Sequence, residues 1–202
     1  MEFLHAVIVL SNFVIIPAIT YGSQLALGAL GVTLVYGILR FSNFAHGDTM
    51  AFGTMVAILF TWWFQSIGVS IAPLPTALLA LPIAIVLTAL LLLGTDRVVL
   101  RFYRKQKSAP VILLIVSLGI MFVYNGLVRF IIGVGDQRFS DGSRFIISAR
   151  DFKKLTGLDE GLAIKTTQVI TVITAVMVVA LLFWFINRTR TGKSMRTFSD
   201  NE

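Results

Sequence analysis

Long uncharged stretches alternate with short charged ones along the chain. Residues 3–39 contain no Asp, Glu, Lys or Arg, and residues 49–95 form a second uncharged run. The hydrocarbon core of a bilayer is about 30 Å thick and takes about 20 helical residues to cross. The pattern therefore predicts membrane-spanning helices that are joined by short polar connections.

The first uncharged run is too long for one perpendicular span. As a single helix, residues 3–39 would measure about 55 Å at 1.5 Å per residue. Pro17 and Gly22 are the predicted break points, because proline removes a helical hydrogen bond and glycine weakens a helix. We therefore expect a short apolar segment at about 3–19, and a full span at 21–39.

Turn-forming residues and the later charge gaps locate the other elements. They predict four further spans, at 49–67, 76–93, 109–128 and 166–187. The predicted fold class is all-α: a polytopic transmembrane helix bundle, with about five to six membrane spans in one domain over residues 1–202.

The distribution of basic residues predicts the orientation of these spans. Residues 96–107 hold five basic residues and one acid, and residues 188–202 hold four basic residues and two acids. Residues 129–165 are longer and mixed, with seven basic residues and five acids. By the positive-inside rule the first two loops are cytoplasmic and the third is external, and counting backward places the connection at 40–48 on the cytoplasmic side.

Composition agrees with a membrane protein and excludes several other classes. The chain is 56% hydrophobic and 13% charged, with a net charge of +7, whereas soluble domains carry about 25% charged residues. Disorder requires low hydrophobicity and high charge, so it is excluded as well. Because the basic residues lie in short loops, their excess indicates topology, and we expect the lipid bilayer and no nucleic acid as a partner.

The densest polar cluster lies between the first two full spans. Asn43, His46, Gly47 and Asp48 are candidates for lining a translocation path, because polar groups near lipid usually face a bundle interior or a water-filled path. The plainer interpretation is a solvated turn, in which Ser42 or Asn43 caps a helix, Gly47 allows tight packing and Asp48 complements the helix dipole. Both interpretations remain open at this level.

A second polar group falls on one face of the span predicted at 109–128. Ser117, Tyr124 and Asn125 are spaced i, i+7 and i+8, which brings them close together on a helix surface. Ser117 and Asn125 are candidates for lining the path, and hydrogen bonding between helices explains the same pattern.

Motifs for chemistry within the chain are absent from the sequence. There is no cysteine, no Walker A sequence and no Gly-x-Ser-x-Gly elbow, and the two histidines, His5 and His46, have no ligand partners at metal-binding spacing. We therefore predict no catalytic residue, no metal and no cofactor in this chain. An ion-coupled secondary transporter or an intramembrane enzyme is a more distant alternative, because the predicted spans contain neither a carboxylate nor a catalytic pair.

Several motifs together carry a resemblance to a known family. They are Gly22-Ser23-Gln-Leu-Ala-Leu, Gly31-Val-Thr-Leu-Val-Tyr36-Gly37, Asn43-Phe-Ala-His46-Gly47-Asp48, Asp96-Arg97-Val-Val-Leu-Arg101 and Gly192-Lys193-Ser-Met-Arg196. In this order and spacing the chain resembles the branched-chain amino acid ABC transporter permease family.

The resemblance implies an importer subunit in the bacterial inner membrane. A homologous second permease subunit, two cytoplasmic ATP-binding subunits and a periplasmic substrate-binding protein would complete the machine, and the partner subunits would hydrolyse ATP. Gly192, Lys193 and Arg196 match the family loop that an ATP-binding subunit grips. The implied substrates are branched-chain amino acids, with urea, short amides or other amino acids as the alternative.

The chain departs from the family pattern at three places. Family members continue with about three more spans, so we expect this chain to be C-terminally incomplete: a fragment, an interrupted frame or one half of a split gene. A non-functional remnant is therefore a further alternative. Asp48 stands where the family more often has Glu, and Arg40 puts a charge where a small or apolar residue is more usual.

Overall fold

The computed structural model describes residues 2–39, 41–69, 75–137, 145–157, 160–190 and 192–194. Eight α-helices, two π-helical turns and two short strands occur in these ranges. In chain order they are α1 (Glu2–Leu10), a π-turn (Ser11–Ile15), α2 (Ile16–Leu39), α3 (His46–Ser66), α4 (Ala77–Thr95), a second π-turn (Asp96–Leu100), α5 (Arg101–Lys105), α6 (Pro110–Ile132), β1 (Phe145–Ile147), α7 (Ala149–Thr156), β2 (Ile164–Lys165) and α8 (Thr166–Arg188).

The first uncharged run is helical throughout, so the predicted break at Pro17 and Gly22 is wrong. α1, the π-turn at Ser11–Ile15 and α2 follow one another without interruption. Pro17 removes one N–H and its ring crowds the carbonyl of residue 13, four positions earlier. That carbonyl lies inside the π-turn, where the widened backbone accommodates the ring. Proline thus deforms this helix and does not end it.

The described helices include four that are long and apolar enough to cross a membrane. They lie at His5–Gly37, Ala77–Lys105, Pro110–Ile132 and Thr166–Arg188. The all-α, polytopic fold class predicted from the sequence is confirmed. The number of apolar helices is smaller than the five to six predicted spans, because the two predicted N-terminal segments form one helix and α3 is not among the four.

α3 is the most polar of the long helices. His46 and Asp48 lie in its first turn, and the hydroxyl-bearing Thr49 and Thr61 are buried on its inner face. α3 packs against both α4 and α6. A helix that neighbours shield from lipid needs less apolar surface than an exposed one, which explains why its hydropathy is lower although it is 21 residues long.

The basic stretch predicted as the loop 96–107 is mostly helix. α4 continues through the second π-turn into α5, and the carboxylate of Asp96 pairs with the guanidinium of Arg104 two turns later. The chain reverses only at residues 106–109, where Lys107 adopts a positive φ of 52°. The predicted change from helix to loop at about residue 96 is therefore wrong. Arg and Lys side chains are compatible with a helix that extends beyond its apolar part.

Residues 31–141 form one compact unit. α3 lies between α4 and α6 in this unit, and Gly53 allows a close approach: a Cβ at this position would lie 3.0 Å from Oγ1 of Thr88. Two apolar clusters hold the helices together. One is centred on Met55, Val56 and Ala84. The other joins Phe41 and Ala45, in the α2–α3 connection, to side chains of α6.

Residues 1–30 and 142–202 form the second compact unit. In it β1 pairs antiparallel with β2, directly before α8. α7 starts at Ser148, whose hydroxyl accepts a hydrogen bond from the Asp151 N–H, and ends at Gly157 in the left-handed conformation. The predicted loop 129–165 thus contains ordered elements, which its mixed polar sequence did not indicate.

Candidate functional site

The connection between α2 and α3 lies alongside the middle of α6. The backbone N–H of Phe44 donates to Oγ of Ser117 at 3.2 Å, and Nδ2 of Asn125 donates to Oδ1 of Asp48 at 2.9 Å. Ser117 and Asn125 come seven and fifteen residues after Pro110, about 10 and 22 Å along α6. Since α6 is one of the apolar helices, the bend lies at the depth of a membrane span and not at its end.

The backbone of this bend is satisfied within the protein. Oδ1 of Asn43 accepts from the Ala45 N–H at 3.1 Å, and the Asn43 carbonyl accepts from the His46 N–H at 3.3 Å. Together with the Phe44–Ser117 bond, three successive N–H groups have partners. Irregular backbone at membrane depth is stable only under this condition. Asn43 therefore acts as a turn residue before α3. The expected capping of the helix by Ser42 or Asn43 is wrong, because the N-cap of α3 is Ala45, which has no side-chain cap hydrogen bond.

Apolar side chains from the bend complete the packing. Phe41 and Ala45 are buried against Leu113, Ile120 and Tyr124 of α6. The hydroxyls of Tyr124 and Thr95 of α4 are also hydrogen-bonded to each other. These contacts fix where α3 begins, because they attach the residues before its first turn to α6 and α4.

Ser117 is fully buried, with a relative exposure of 0%. Its hydroxyl donates to the Leu114 carbonyl at 2.7 Å while accepting from Phe44. Both contacts are intramolecular, and so is the Tyr124 contact with Thr95. For these two residues the geometry favours hydrogen bonding between segments over the lining of a path.

His46 packs against α2 at a glycine. A Cβ at position 31 would lie 2.6 Å from Nε2 and 2.7 Å from Cε1 of His46, so only glycine leaves room for the imidazole in this position. Gly31 and His46 belong to two of the sequence motifs noted above, separated by fourteen residues. The structure brings these two motifs into direct contact.

Asp48 lies in the first turn of α3 and is half-buried. Its position corrects one expectation: a carboxylate does occur inside a long helix, at the level of Asn125. The Asn125 amide donates a hydrogen bond to this side chain from the neighbouring helix α6. Gly47 beside it is exposed, and a Cβ there would meet no described heavy atom within 4 Å, so tight packing does not explain this glycine.

The candidate coupling residues lie just after α8. The Gly192 N–H donates to Oγ1 of Thr189 at 3.0 Å, and the Lys193 N–H donates to the Thr189 carbonyl at 3.0 Å. A Cβ on Gly192 would lie 2.6 Å from Cα of Ile186, so the chain folds back onto the end of α8. Lys193 is exposed. Arg196, the third predicted member, and Arg40 lie outside the described residues.

Two features of this site escape reasoning from the sequence alone. Gly31 was noted as part of a motif, but only its contact with His46 shows what the glycine does. Thr95 stands at the end of an uncharged run, with no local signal that it meets Tyr124. In both pairs, only the packing of separate elements identifies the partner.

A family model described as "Branched-chain amino acid transport system / permease component" matches residues 14–202. The chain belongs to this family. The match includes the α2–α3 bend, α6 and the segment after α8, which are the parts of the permease that carry the candidate site and the candidate coupling residues.

Individual relatives carry the same description. BraD of Pseudomonas aeruginosa, a high-affinity branched-chain amino acid transport system permease protein, is 26% identical over 188 residues, covering 93% of this chain and 58% of BraD. LivH of Salmonella typhimurium, named likewise, is 26% identical over 186 residues, covering 91% of this chain and 57% of LivH. This permease thus spans somewhat more than half the length of these relatives. No solved structure matches it.

The Asp48–Asn125 pair provides a direct test of the site. Replacing Asn125 with the similarly sized Leu is expected to destabilise the permease by about 1.5–3 kcal/mol, because a carboxylate loses a hydrogen bond and stays half-buried. Asn125→Asp is expected to be at least as harmful, since two carboxylates would then adjoin. The free energy of unfolding in detergent measures both effects.

A reciprocal exchange serves as the internal control. Asp48→Asn combined with Asn125→Asp re-forms the pair in the opposite sense and is expected to recover most of the lost stability. Asn187→Leu is the matched control, because within the described residues the Asn187 amide donates only to Phe183 of its own helix. If the double exchange is no more stable than Asn125→Asp alone, the pair does not contribute as described.

Proposed function

We propose that this chain is a membrane-spanning permease subunit of an ATP-binding-cassette importer that moves branched-chain amino acids across the bacterial inner membrane. The observation that carries the proposal is the family match over residues 14–202. The printed names of BraD and LivH support the substrate class. Urea, short amides and other amino acids are the alternative substrates for the same machine.

The arrangement of the bend supports a role in transport. A helix that begins at membrane depth presents polar groups there without exposing unsatisfied backbone to lipid. We assign Asp48, Asn125 and His46 to the lining of the path, because these three polar side chains are only half-buried at the bend. Asn43 and Ser117 hold the bend in place, and Gly47 leaves open space beside them.

Transport by such a subunit would require partners that use ATP. We propose a homologous second permease subunit, two cytoplasmic ATP-binding subunits and a periplasmic substrate-binding protein. ATP hydrolysis belongs to the partner subunits, and this chain needs no catalytic residue or cofactor of its own. Gly192, Lys193 and Arg196 form the proposed contact with an ATP-binding subunit, which agrees with a cytoplasmic position for residues 188–202.

The test is uptake of radiolabelled leucine into proteoliposomes that contain this chain and the products of neighbouring transport genes. We expect uptake to require ATP on the side of the nucleotide-binding subunits and to continue when a protonophore collapses the proton gradient. Competition by unlabelled isoleucine or valine, and not by urea, would identify the substrate class.

An ion-coupled secondary transporter gives the opposite result in the same assay. Because Asp48 lies at membrane depth, that class would use its carboxylate, and uptake would depend on an ion gradient and not on ATP. Asp48→Asn separates the two mechanisms further. Uptake by an ATP-driven importer stays insensitive to the protonophore with this variant, even where its rate falls, whereas gradient-driven uptake without ATP would contradict the proposed function.

A further inference from the structure

The first π-turn carries a polar side chain that reaches a distant part of the chain. Nδ2 of Asn12 donates to the Gly161 carbonyl at 2.8 Å, and Oδ1 of Asn12 accepts from the Ala163 N–H at 3.0 Å. The two contacts join residues about 150 positions apart in sequence, within one compact unit. Asn12 thus uses both halves of its amide on one short segment.

The Asn12 amide bonds two backbone groups that flank one residue. The carbonyl of residue 161 and the N–H of residue 163 lie on either side of residue 162, and the side-chain amide supplies one donor and one acceptor to this pair. β2 begins immediately afterwards, at Ile164. The Asn12 amide therefore takes the place of a backbone partner and extends the ordered segment before α8.

The same segment is held from its other side. Gly161 is buried, and a Cβ there would lie 2.8 Å from Cα of Ala149, so the backbone packs directly onto the start of α7. β1 pairs with β2 in the same place. Residues 160–165 thus contact both α7 and the N-terminal helix formed by α1, the π-turn and α2. Asn12 supplies the polar contacts between that helix and the segment.

We propose that Asn12 is a positioning residue that ties the segment leading into α8 to the N-terminal helix, so that both move as one body when the permease changes state. The link to changes of state rests on the function proposed above. Asn12 lies just before residues 14–202, the part matched by the family model.

Hydrogen exchange at the Ala163 amide tests the anchor without any transport assay. In Asn12→Leu this amide loses its acceptor, and its exchange is expected to become about two- to tenfold faster. Asn12→Asp keeps an acceptor for Ala163, so exchange at this amide should stay close to wild type. Ser11→Ala is the matched control, because the Ser11 hydroxyl donates only to Val7 of its own helix.

The outcomes separate clearly. Unchanged exchange at Ala163 in Asn12→Leu, or an equal increase in Ser11→Ala, would overturn the anchor. If Asn12→Leu does not accumulate in the membrane, Asn12→Ala gives the same readout, since it removes the amide without adding apolar bulk. Amides of α6 serve as the reference and should exchange alike in all variants.

A second measurement tests the role in transport. In the reconstituted transporter, Asn12→Leu is expected to reduce leucine uptake several-fold while ATP hydrolysis without substrate is unchanged, and Asn12→Asp, which keeps one of the two bonds, is expected to lose less. If the wild-type protein shows no uptake at all, that result contradicts the proposed function alone. Hydrogen exchange at the Ala163 amide would still test the anchor. Undiminished uptake in Asn12→Leu, with Ala163 deprotected, would overturn the positioning role.

Discussion

Replacing Ser117 with Leu is expected to destabilise the permease by about 2–6 kcal/mol and to abolish transport. Ser117 has no exposed surface, and its hydroxyl accepts from the Phe44 N–H at the bend. Leucine adds bulk to a filled site, which costs about 1–3 kcal/mol. It also leaves the partly buried Phe44 N–H without its partner, which costs about 1–3 kcal/mol more.

The smaller substitutions divide this effect into its two parts. Ser117→Ala removes the hydroxyl without adding volume, so its expected cost is that of the unsatisfied Phe44 N–H alone, about 1–3 kcal/mol. Ser23→Ala is the matched control, because the Ser23 hydroxyl donates only to the Ile19 carbonyl of its own helix. The free energy of unfolding in detergent is the measurement. Equal effects of the two Ser→Ala variants would show that Ser117 does not hold the bend.

Gly192→Ala is expected to reduce substrate-stimulated ATP hydrolysis by the assembled transporter at least about tenfold while leaving membrane insertion intact. The added Cβ would lie 2.6 Å from Cα and 2.8 Å from the carbonyl oxygen of Ile186, and closer still to the carbonyl of Phe185. These are backbone atoms of α8 and cannot rotate away, so the segment that carries Lys193 must move. Displacing a contact that assembles only in the active state lowers rate without unfolding the protein.

Charge reversal tests the same contact without a steric change. Lys193→Glu combined with Arg196→Glu is expected to abolish the stimulation by substrate, because the proposed function assigns both cations to the contact with an ATP-binding subunit. Gly135→Ala is the control for Gly192→Ala, since a Cβ at Gly135 meets no described heavy atom within 4 Å. Lys193→Arg is the control for charge. Undiminished stimulation in both Gly192→Ala and the double reversal would remove the coupling assignment.

The helices were largely predictable, because a span is a local property of the chain. The helices α4, α6 and α8 begin within about a residue of the predicted spans at 76–93, 109–128 and 166–187. Their ends were predicted less well, since helices continue into charged residues where hydropathy falls, as at Asp96 and Arg97. The effect of Pro17 was also misjudged, because whether proline ends a helix or widens one turn depends on the backbone that accommodates its ring.

The residues of the candidate site were predictable from the sequence, but the contacts between them were not. Asn43, His46, Asp48, Ser117 and Asn125 were all singled out by polarity in apolar surroundings. Their pairing was not, and the roles divided differently from the expectation: Asn43 and Ser117 satisfy backbone groups, whereas Asp48 and Asn125 pair with each other. Polarity shows that a residue is costly near lipid, but not which partner offsets the cost.

Hydropathy, charge and short motifs are read along a continuous chain, so they are enough to identify a helical membrane protein, its apolar helices and its family motifs. The depth of the α2–α3 bend, the glycine that receives His46 and the partners of Asn12 are visible only in the folded structure. Each of these depends on contacts between residues that are well separated along the chain, from Gly31 and His46 to Asn12 and Ala163. No local sequence pattern predicts these contacts, because they depend on how the helices pack against one another after they have formed.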